Sequence, residues 1–271
     1  MMEKFSAWRL ANLLCLLALL FGVTTGCQRK TETAAPASPT PSDTAARAAN
    51  ATVTPVAISG PVTPAMVTEE SDSITHYLHF PRDPEAAKND GAVQFFCDIT
   101  EAGVVETTHA LVGSSDAFKG AVQTALDWGR FTPATVNGNP VRVYLGGTIL
   151  FLHENGEPVI VVSLATQDRE RVGKMANYIQ PQLLGGLRFA IEKELSALTQ
   201  GILVAGKAEV VVNVDAKGKV TNTSGISENP KGSGLGTLLN KAMQNGQFTP
   251  AYENGKAAPG VMNVVADFGK F

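Results

Sequence analysis

The chain repeats itself, and that echo limits the folds open to it more than any other feature. Gly129-Arg130-Phe131-Thr132-Pro133-Ala134, followed by Asn137-Gly138, returns 117 residues later as Gly246-Gln247-Phe248-Thr249-Pro250-Ala251, followed by Asn254-Gly255. Upstream, Asp98 with Gly103-Val104-Val105 corresponds to Asn213 with Gly218-Lys219-Val220 at an offset of 115. A difference of two residues in the intervening loop accounts for the change. Two copies of one small unit must therefore each find a buried face.

Hydrophobic periodicity outlines that unit. Val93, Phe95, Cys97 and Ile99 alternate with Gln94, Phe96 and Asp98, the pattern of a half-buried strand. A turn at Gly103 leads to a second strand, about 104–111. Ser115 is placed to cap a helix on which Phe118, Ala121, Val122 and Ala125 share one face. Phe131 and Pro133 end it, Asn137-Gly138 turns the chain, and Val141, Val143 and Leu145 start a third strand. A hairpin follows: 147–152, the Asn155-Gly156 turn, then 158–165. Gly146-Gly147 predicts a bulge in the third strand. In the second copy Ala208, Val210, Val212 and Val214 form the alternating face, and Leu235, Leu238, Leu239, Ala242 and Met243 a helical stripe. A helix over 183–198 precedes it, and a last strand spans about 259–268. One helix over one face of a three-stranded sheet buries these stripes most simply.

Charge and cysteine usage exclude some functions. The net charge of −3 argues against nucleic acid as a partner, since phosphate binding needs a basic surface. Residues 74–166 carry five basic and ten acidic side chains and residues 167–271 carry twelve and nine, an asymmetry within ordinary surface variation. Cys97 stands alone in the body of the chain, so no intramolecular disulfide framework is expected.

The N-terminus reads as an address. Lys4 and Arg9 precede an apolar run from Leu10 to Val23, and Thr24, Thr25 and Gly26 lead into Cys27. A basic start, a short apolar stretch and a small-residue exit are the marks of a secretory signal. The Gly26-Cys27 pair resembles a bacterial lipobox, although Thr24 stands where that family prefers an aliphatic residue. The resemblance implies cleavage before Cys27, lipidation of its thiol and attachment to a membrane; Gln28 beside it favours the outer membrane. Secretion after Gly26 and an uncleaved anchor are the other readings. Residues 28–70 are rich in Ala, Pro, Thr and Ser and are expected to be a disordered tether. Forty residues of such chain wander roughly 35 Å.

Copy one resembles the C-terminal domain of TonB, the periplasmic energy transducer, over residues 77–153. The ordered set that carries the likeness is Phe80-Pro81, Ala86-Ala87, Asp98, Gly103, Ser114-Ser115, Trp128, Phe131-Thr132-Pro133-Ala134 and Asn137-Gly138-Asn139-Pro140-Val141. Copy two follows more weakly over 181–268, lacking the tryptophan and carrying Ala257 where copy one has Pro140. The resemblance implies an α+β chain: a signal peptide (1–27), the tether (28–70), and two small units (71–166 and 167–271). Each would be a three-stranded antiparallel sheet covered by one or two helices. It also implies a non-enzymatic protein without cofactor that binds envelope protein segments, an outer-membrane receptor among them, by strand addition. The expected edges are Val141, Val143 and Leu145 in copy one and Val261, Asn263 and Val265 in copy two. The plain alternative is that these edges are capped by the other copy or by the 158–165 strand. Edge pairing between two chains would instead give a homodimer. A TonB-type transducer is the second functional reading, but family transducers carry a histidine in the membrane-spanning helix and this apolar run has none. A periplasmic hydrolase is the third.

The remaining chemistry is sparse. His76 and His79 lack a third metal ligand nearby. His109 and His153 have no acid at catalytic spacing. Cys97 and Trp128 read as core residues. Gly232-Ser233-Gly234-Leu235-Gly236 lacks the Lys-Ser/Thr of a phosphate loop and reads as a flexible start to a helix.

Overall fold

The computed structural model describes residues 60–167, 170–172, 174–175, 177–196 and 205–271. The apolar run, Cys27 and the tether stretch 28–59 lie outside the described residues. Among those described, no helix is long and apolar enough to cross a membrane. The fold is α+β, made of small antiparallel sheets and few helices.

The chain enters the fold earlier than its composition suggests. Strands β1 (Val62–Thr63) and β2 (Met66–Val67) fall inside the expected tether. They pair with Thr135–Val136 and with Phe131–Thr132, and Ala65 between them is fully buried. Two-residue strands have too little alternation to be seen against a Pro/Thr background. A single helical turn, α1 (Ile74–Tyr77), is capped by the Ser73 hydroxyl, and a 3-10 turn at Ala86–Lys88 holds the Ala-Ala pair.

Strands β3 (Gly91–Ile99) and β4 (Val105–Gly113) follow, then helix α2 (Asp116–Trp128), whose first turn donates Phe118 N–H to the Ser115 hydroxyl. Phe118, Val122, Ala125 and Leu126 of α2 are buried against Val93, Phe95, Cys97 and Ile99. Trp128 is 70% exposed, so it is a surface residue and not the helix-end core aromatic expected. Short strands β5 (Phe131–Thr132), β6 (Ala134–Val136) and β7 (Asn139–Val141) lead into the long β8 (Val143–Glu154). The Asn155-Gly156 turn, with φ of 54° and 85°, returns the chain as β9 (Glu157–Ser163). Asn and Gly are the residues that adopt this left-handed pair most cheaply.

The second half opens with β10 (Tyr178–Ile179) and β11 (Leu183–Leu184). Helix α3 (Leu187–Ser196) starts four residues later than expected, because Gly185 and Gly186 take φ of 83° and 82°. Strands β12 (Lys207–Val214) and β13 (Val220–Asn229), helix α4 (Leu235–Gln244), strands β14 (Ala251–Glu253) and β15 (Lys256–Ala258), and the final β16 (Gly260–Asp267) complete it. Its sheet has the order β13-β12-β16.

The first sheet has five strands rather than three: β11-β8-β3-β4, with β9 also on β8. Val143 pairs with Ile99 on one side and Leu184 on the other, while Thr148–Glu154 pair with β9. Val141 belongs to β7 and pairs with Ala134, and Leu145 is fully buried. Val141, Val143 and Leu145 therefore present no open edge, and the capped alternative describes copy one. Nor is there a bulge at Gly146-Gly147, where pairing runs unbroken through Phe95–Gly147 and Phe96–Gly146. A Cβ on Gly147 would lie 2.7 Å from the Phe95 ring, and one on Gly146 3.1 Å from the Phe96 ring. These glycines make room for two aromatic rings on opposite faces.

The strand β3 is not half-buried. Phe96 and Asp98, which alternation assigned to solvent, are 1% exposed. Phe96, Ala110 and Tyr144 of the first sheet pack into the core formed by α3, α4 and the second sheet. The described residues accordingly fall in one compact unit.

Equivalent bonds recur in the two halves. Phe131 N–H donates to Gly103 O at 2.9 Å and Phe248 N–H to Gly218 O at 3.3 Å. Asn137 N–H donates to Pro61 O and Asn254 N–H to Asn177 O, both at 2.9 Å. Gly103 and Gly218 share φ near 80°, and a Cβ on either would lie about 2 Å from the partner carbonyl oxygen.

Replacing Phe96 by Ala should cost about 3–5 kcal/mol, the range for emptying a buried aromatic site. Urea unfolding would measure it. Hydrogen exchange should quicken in α3 as well as in β3, and an effect confined to β3 would show that the core is not shared.

Candidate functional site

One edge that no strand covers belongs to β16. On one side it pairs with β12 from Gly260 to Asp267, and on the other no strand is bonded to it. Val265 shows which peptide groups point outward: its N–H donates to the Tyr144 hydroxyl at 2.8 Å, and the same hydroxyl donates to Val265 O at 2.9 Å. Inward and outward bonding alternate along an antiparallel strand, so Asn263 and Val261 share that outward direction. Asn263 O accepts from Gln167 Nε2 at 3.4 Å. The Val261 side chain is 51% exposed. Of the three residues expected here, Val261 is open, Asn263 is half occupied by a glutamine amide, and Val265 is closed by a tyrosine of the other half.

Tyr144 is fully buried, and burial pushes its hydroxyl pKa well up, partly offset by the bond to Val265. It stays protonated and can both donate and accept. One hydroxyl thus takes the place of a neighbouring peptide group.

A cleft of about 560 Å³ flanks the open stretch. Val261, Pro259, Val211 and Met175 give it apolar surface, and Gln94, Gln167 and Gln180 give it amides. The Gln94 amide bonds Gln167 O and the Gln180 amide bonds Gly146 O, so the glutamines fasten this wall to the first sheet. The Tyr178 hydroxyl sits over Gly260, where a Cβ would lie 2.7 Å from it. Burial, and after it the Glu253 carboxylate, push the Tyr178 phenol pKa up, and the charge of Arg171, which also lines the cleft, opposes them. Tyr144, Gln167, Tyr178 and Arg171 carried no sequence signal, since only the docking of the two halves brings them to β16.

The other free edge of this sheet, β13, is less receptive. Its pairing with β12 shifts register twice, and Gly225 takes φ of 61°. Bulges of this kind protect edges from unplanned pairing.

The remaining polar groups are structural. His109 Nε2 lies 2.9 Å from Asp98 Oδ2, with both side chains about 2% exposed or less. Pairing skips from Phe96–Ala110 to Cys97–Thr108, so His109 is the extra residue of a bulge that aims it at Asp98. Asp98 Oδ1 also accepts Leu187 N–H at 2.8 Å, at the start of α3. His153 Nδ1 lies 3.1 Å from Asp90 Oδ1. Both histidines thus have acidic partners that linear spacing hid, on neighbouring strand segments. His76 and His79 are exposed, and no group of three metal-ligating side chains exists among the described residues. Cys97 is fully buried, which raises its thiol pKa well above the usual value, with Asp98 adding to the effect.

The Gly232–Gly236 loop is an anion cradle filled by the chain itself. The Glu228 carboxylate accepts Gly232 N–H and Gly236 N–H at 2.8 Å each, and the Ser233 hydroxyl at 3.2 Å. These donors, Gly236 foremost, lower the carboxyl pKa.

Residues 76–152 match the family described as Gram-negative bacterial TonB protein C-terminal. The first half contains a TonB C-terminal domain. The matched span runs from the end of α1 through the β3–β4 hairpin, α2 and β5–β7 to most of β8, close to the 77–153 read from the sequence. Domains of this family are non-enzymatic, interact with outer-membrane proteins, and belong to the Gram-negative envelope. No curated protein and no solved structure matches the chain.

A depressed carboxyl pKa stabilises the fold above the unfolded value, about 4.3 for Glu, and that contribution fades as pH falls through the folded value. Glu228→Gln removes the titration. Urea midpoints from pH 6 down to pH 3 should therefore fall more steeply for the wild type than for the variant. Parallel curves would exclude the cradle as a source of acid sensitivity.

Proposed function

We propose that the protein is a non-enzymatic, periplasm-facing lipoprotein that binds or scaffolds envelope proteins, taking an extended partner segment onto the open edge of β16. Its two halves are two TonB C-terminal-like units, the second beginning near residue 167. The first half carries the family match, and there β9 and β11 cover the outer side of β8. The second keeps an edge free, and the exposure of Val261 beside a cleft is the observation that carries this reading. Unpaired peptide groups on a strand edge supply affinity, while neighbouring pockets select side chains. In this reading Cys27 is lipidated, favouring the outer membrane, and the stretch from residue 28 to about 60 gives the binding units reach. An outer-membrane receptor is one partner such an edge would serve. No cofactor enters.

Two measurements test this. Crosslinking in membranes that carry the full chain should capture an envelope protein through β16. Val261→Pro should cut that capture by about tenfold or more, equivalent to roughly 1.4 kcal/mol. The unfolding midpoint should hardly move, because proline is tolerated where the N–H faces outward on an edge strand. Undiminished capture by the proline variant would end the strand-addition reading. Separately, the mature N-terminal peptide should carry the mass of an acylated, diacylglyceryl cysteine at Cys27; an intact N-terminus would end the lipoprotein reading.

A further inference from the structure

The open edge of β16 is bracketed, and the brackets define what can occupy it. At one end Tyr144 occupies both outward groups of Val265, so an added strand cannot extend past Asn263. At the other end the Tyr178 hydroxyl sits over Gly260, and Arg171, whose charge acts on Tyr178, lines the same cleft. Gly260 to Asn263 spans three strand rises of about 3.4 Å, or roughly 10 Å, which is room for about four partner residues. Inside that length the wall is apolar or amide-bearing. Among the described residues, Arg171 is the one charged side chain lining the cleft, and no described carboxylate forms an ion pair with it; the Glu253 carboxylate, paired across from Tyr178, lies outside the lining. A guanidinium in the wall of a small cleft, with no ion-pair partner among the described residues, favours a carboxylate and disfavours a cation.

We infer that this site takes a short extended peptide segment of about four residues carrying an acidic group. Its register is set by the Tyr144 hydroxyl at one end and its charge is read by Arg171 at the other. The inference rests on strand addition at β16 and adds length, register and charge to it. Gln167 must release Asn263 O as the segment pairs, an exchange of one amide donor for another. Tyr144 acts as a specificity-determining residue: it contributes by occupying an edge position rather than by touching the segment's side chains.

Disulfide trapping tests both brackets. The full chain carries Cys15→Ser and Cys27→Ser, with Cys97 left buried, and receives one new cysteine as Val261→Cys or Val265→Cys. The probes are acetyl-Glu-Val-Cys-Val-Glu-amide and its lysine counterpart, acetyl-Lys-Val-Cys-Val-Lys-amide, in a thiol redox buffer. The glutamate peptide should be trapped at Val261→Cys about tenfold more than at Val265→Cys. Adding Tyr144→Phe should raise trapping at position 265. Arg171→Glu should reverse the preference for the glutamate over the lysine peptide at position 261. Equal trapping at 261 and 265 in the chain that retains Tyr144 would overturn the register stop. Equal trapping of the two peptides at 261 would overturn the charge bracket. No trapping by either peptide at either position would overturn strand addition itself, and the inference with it.

Discussion

The first sheet is buried on both faces, and most of the architecture follows from that. Phe95 points toward α2 and Phe96 toward the second half, and neither reaches solvent. Antiparallel sheets often leave one face wet, and strands covered on both sides lose their polar alternation. Burying each of these rings contributes about 1.5–3 kcal/mol, comparable to a sizeable part of a domain's net stability. Two-sided burial also explains the glycine pair opposite the rings, since β8 cannot pass between Phe95 and Phe96 with side chains of its own. Asp98 completes the arrangement. From within the sheet it holds His109 and begins α3, so one carboxylate serves both halves.

The same docking decides which edges survive. In the first half the side of β8 away from β3 is taken at one end by β11 and at the other by β9, the former drawn from the second half. In the second half β16 is met by side chains instead, Tyr144 at Val265 and Gln167 at Asn263. The halves thus divide their roles despite similar sequences. In one, β8 is covered by the chain's own strands, and in the other β16 keeps peptide groups available. Edge strands are a hazard unless their exposure is short or managed, and a span of four residues flanked by tyrosines is short.

The local skeleton was legible because it is built from repeated local signals. The Ser115 cap, the Phe118–Ala125 stripe, the Asn155-Gly156 turn and the alternating residues of β12 each depend on neighbours within a few positions. The TonB C-terminal likeness rested on motifs of that same range, and it matches. What the sequence could not show was anything decided between the halves. Phe96 and Asp98 looked solvent-facing because alternation describes one face, not what lies against the other. Trp128 looked like core because tryptophan usually is. Val143 looked like an edge because the two-residue strand that covers it lay hidden in a stretch read as helix. At the candidate site Val261 and Asn263 could be named from the likeness, whereas Tyr144, Gln167 and Arg171 become visible only once the halves are joined.

Gln182 has a consequence for how the molecule meets mechanical load. Its side-chain amide accepts Ala65 N–H at 2.7 Å and donates to Ala65 O at 2.8 Å, closing on that residue as a second strand would. Its backbone, meanwhile, is bonded to Thr249. Ala65 lies just where the upstream chain joins the body, so tension arriving from that direction meets a clamp supplied by the opposite half. Such a load is borne at the seam and shared by both halves, and because Ala65 belongs to the first core, peeling it away loosens the joint and opens that interior together.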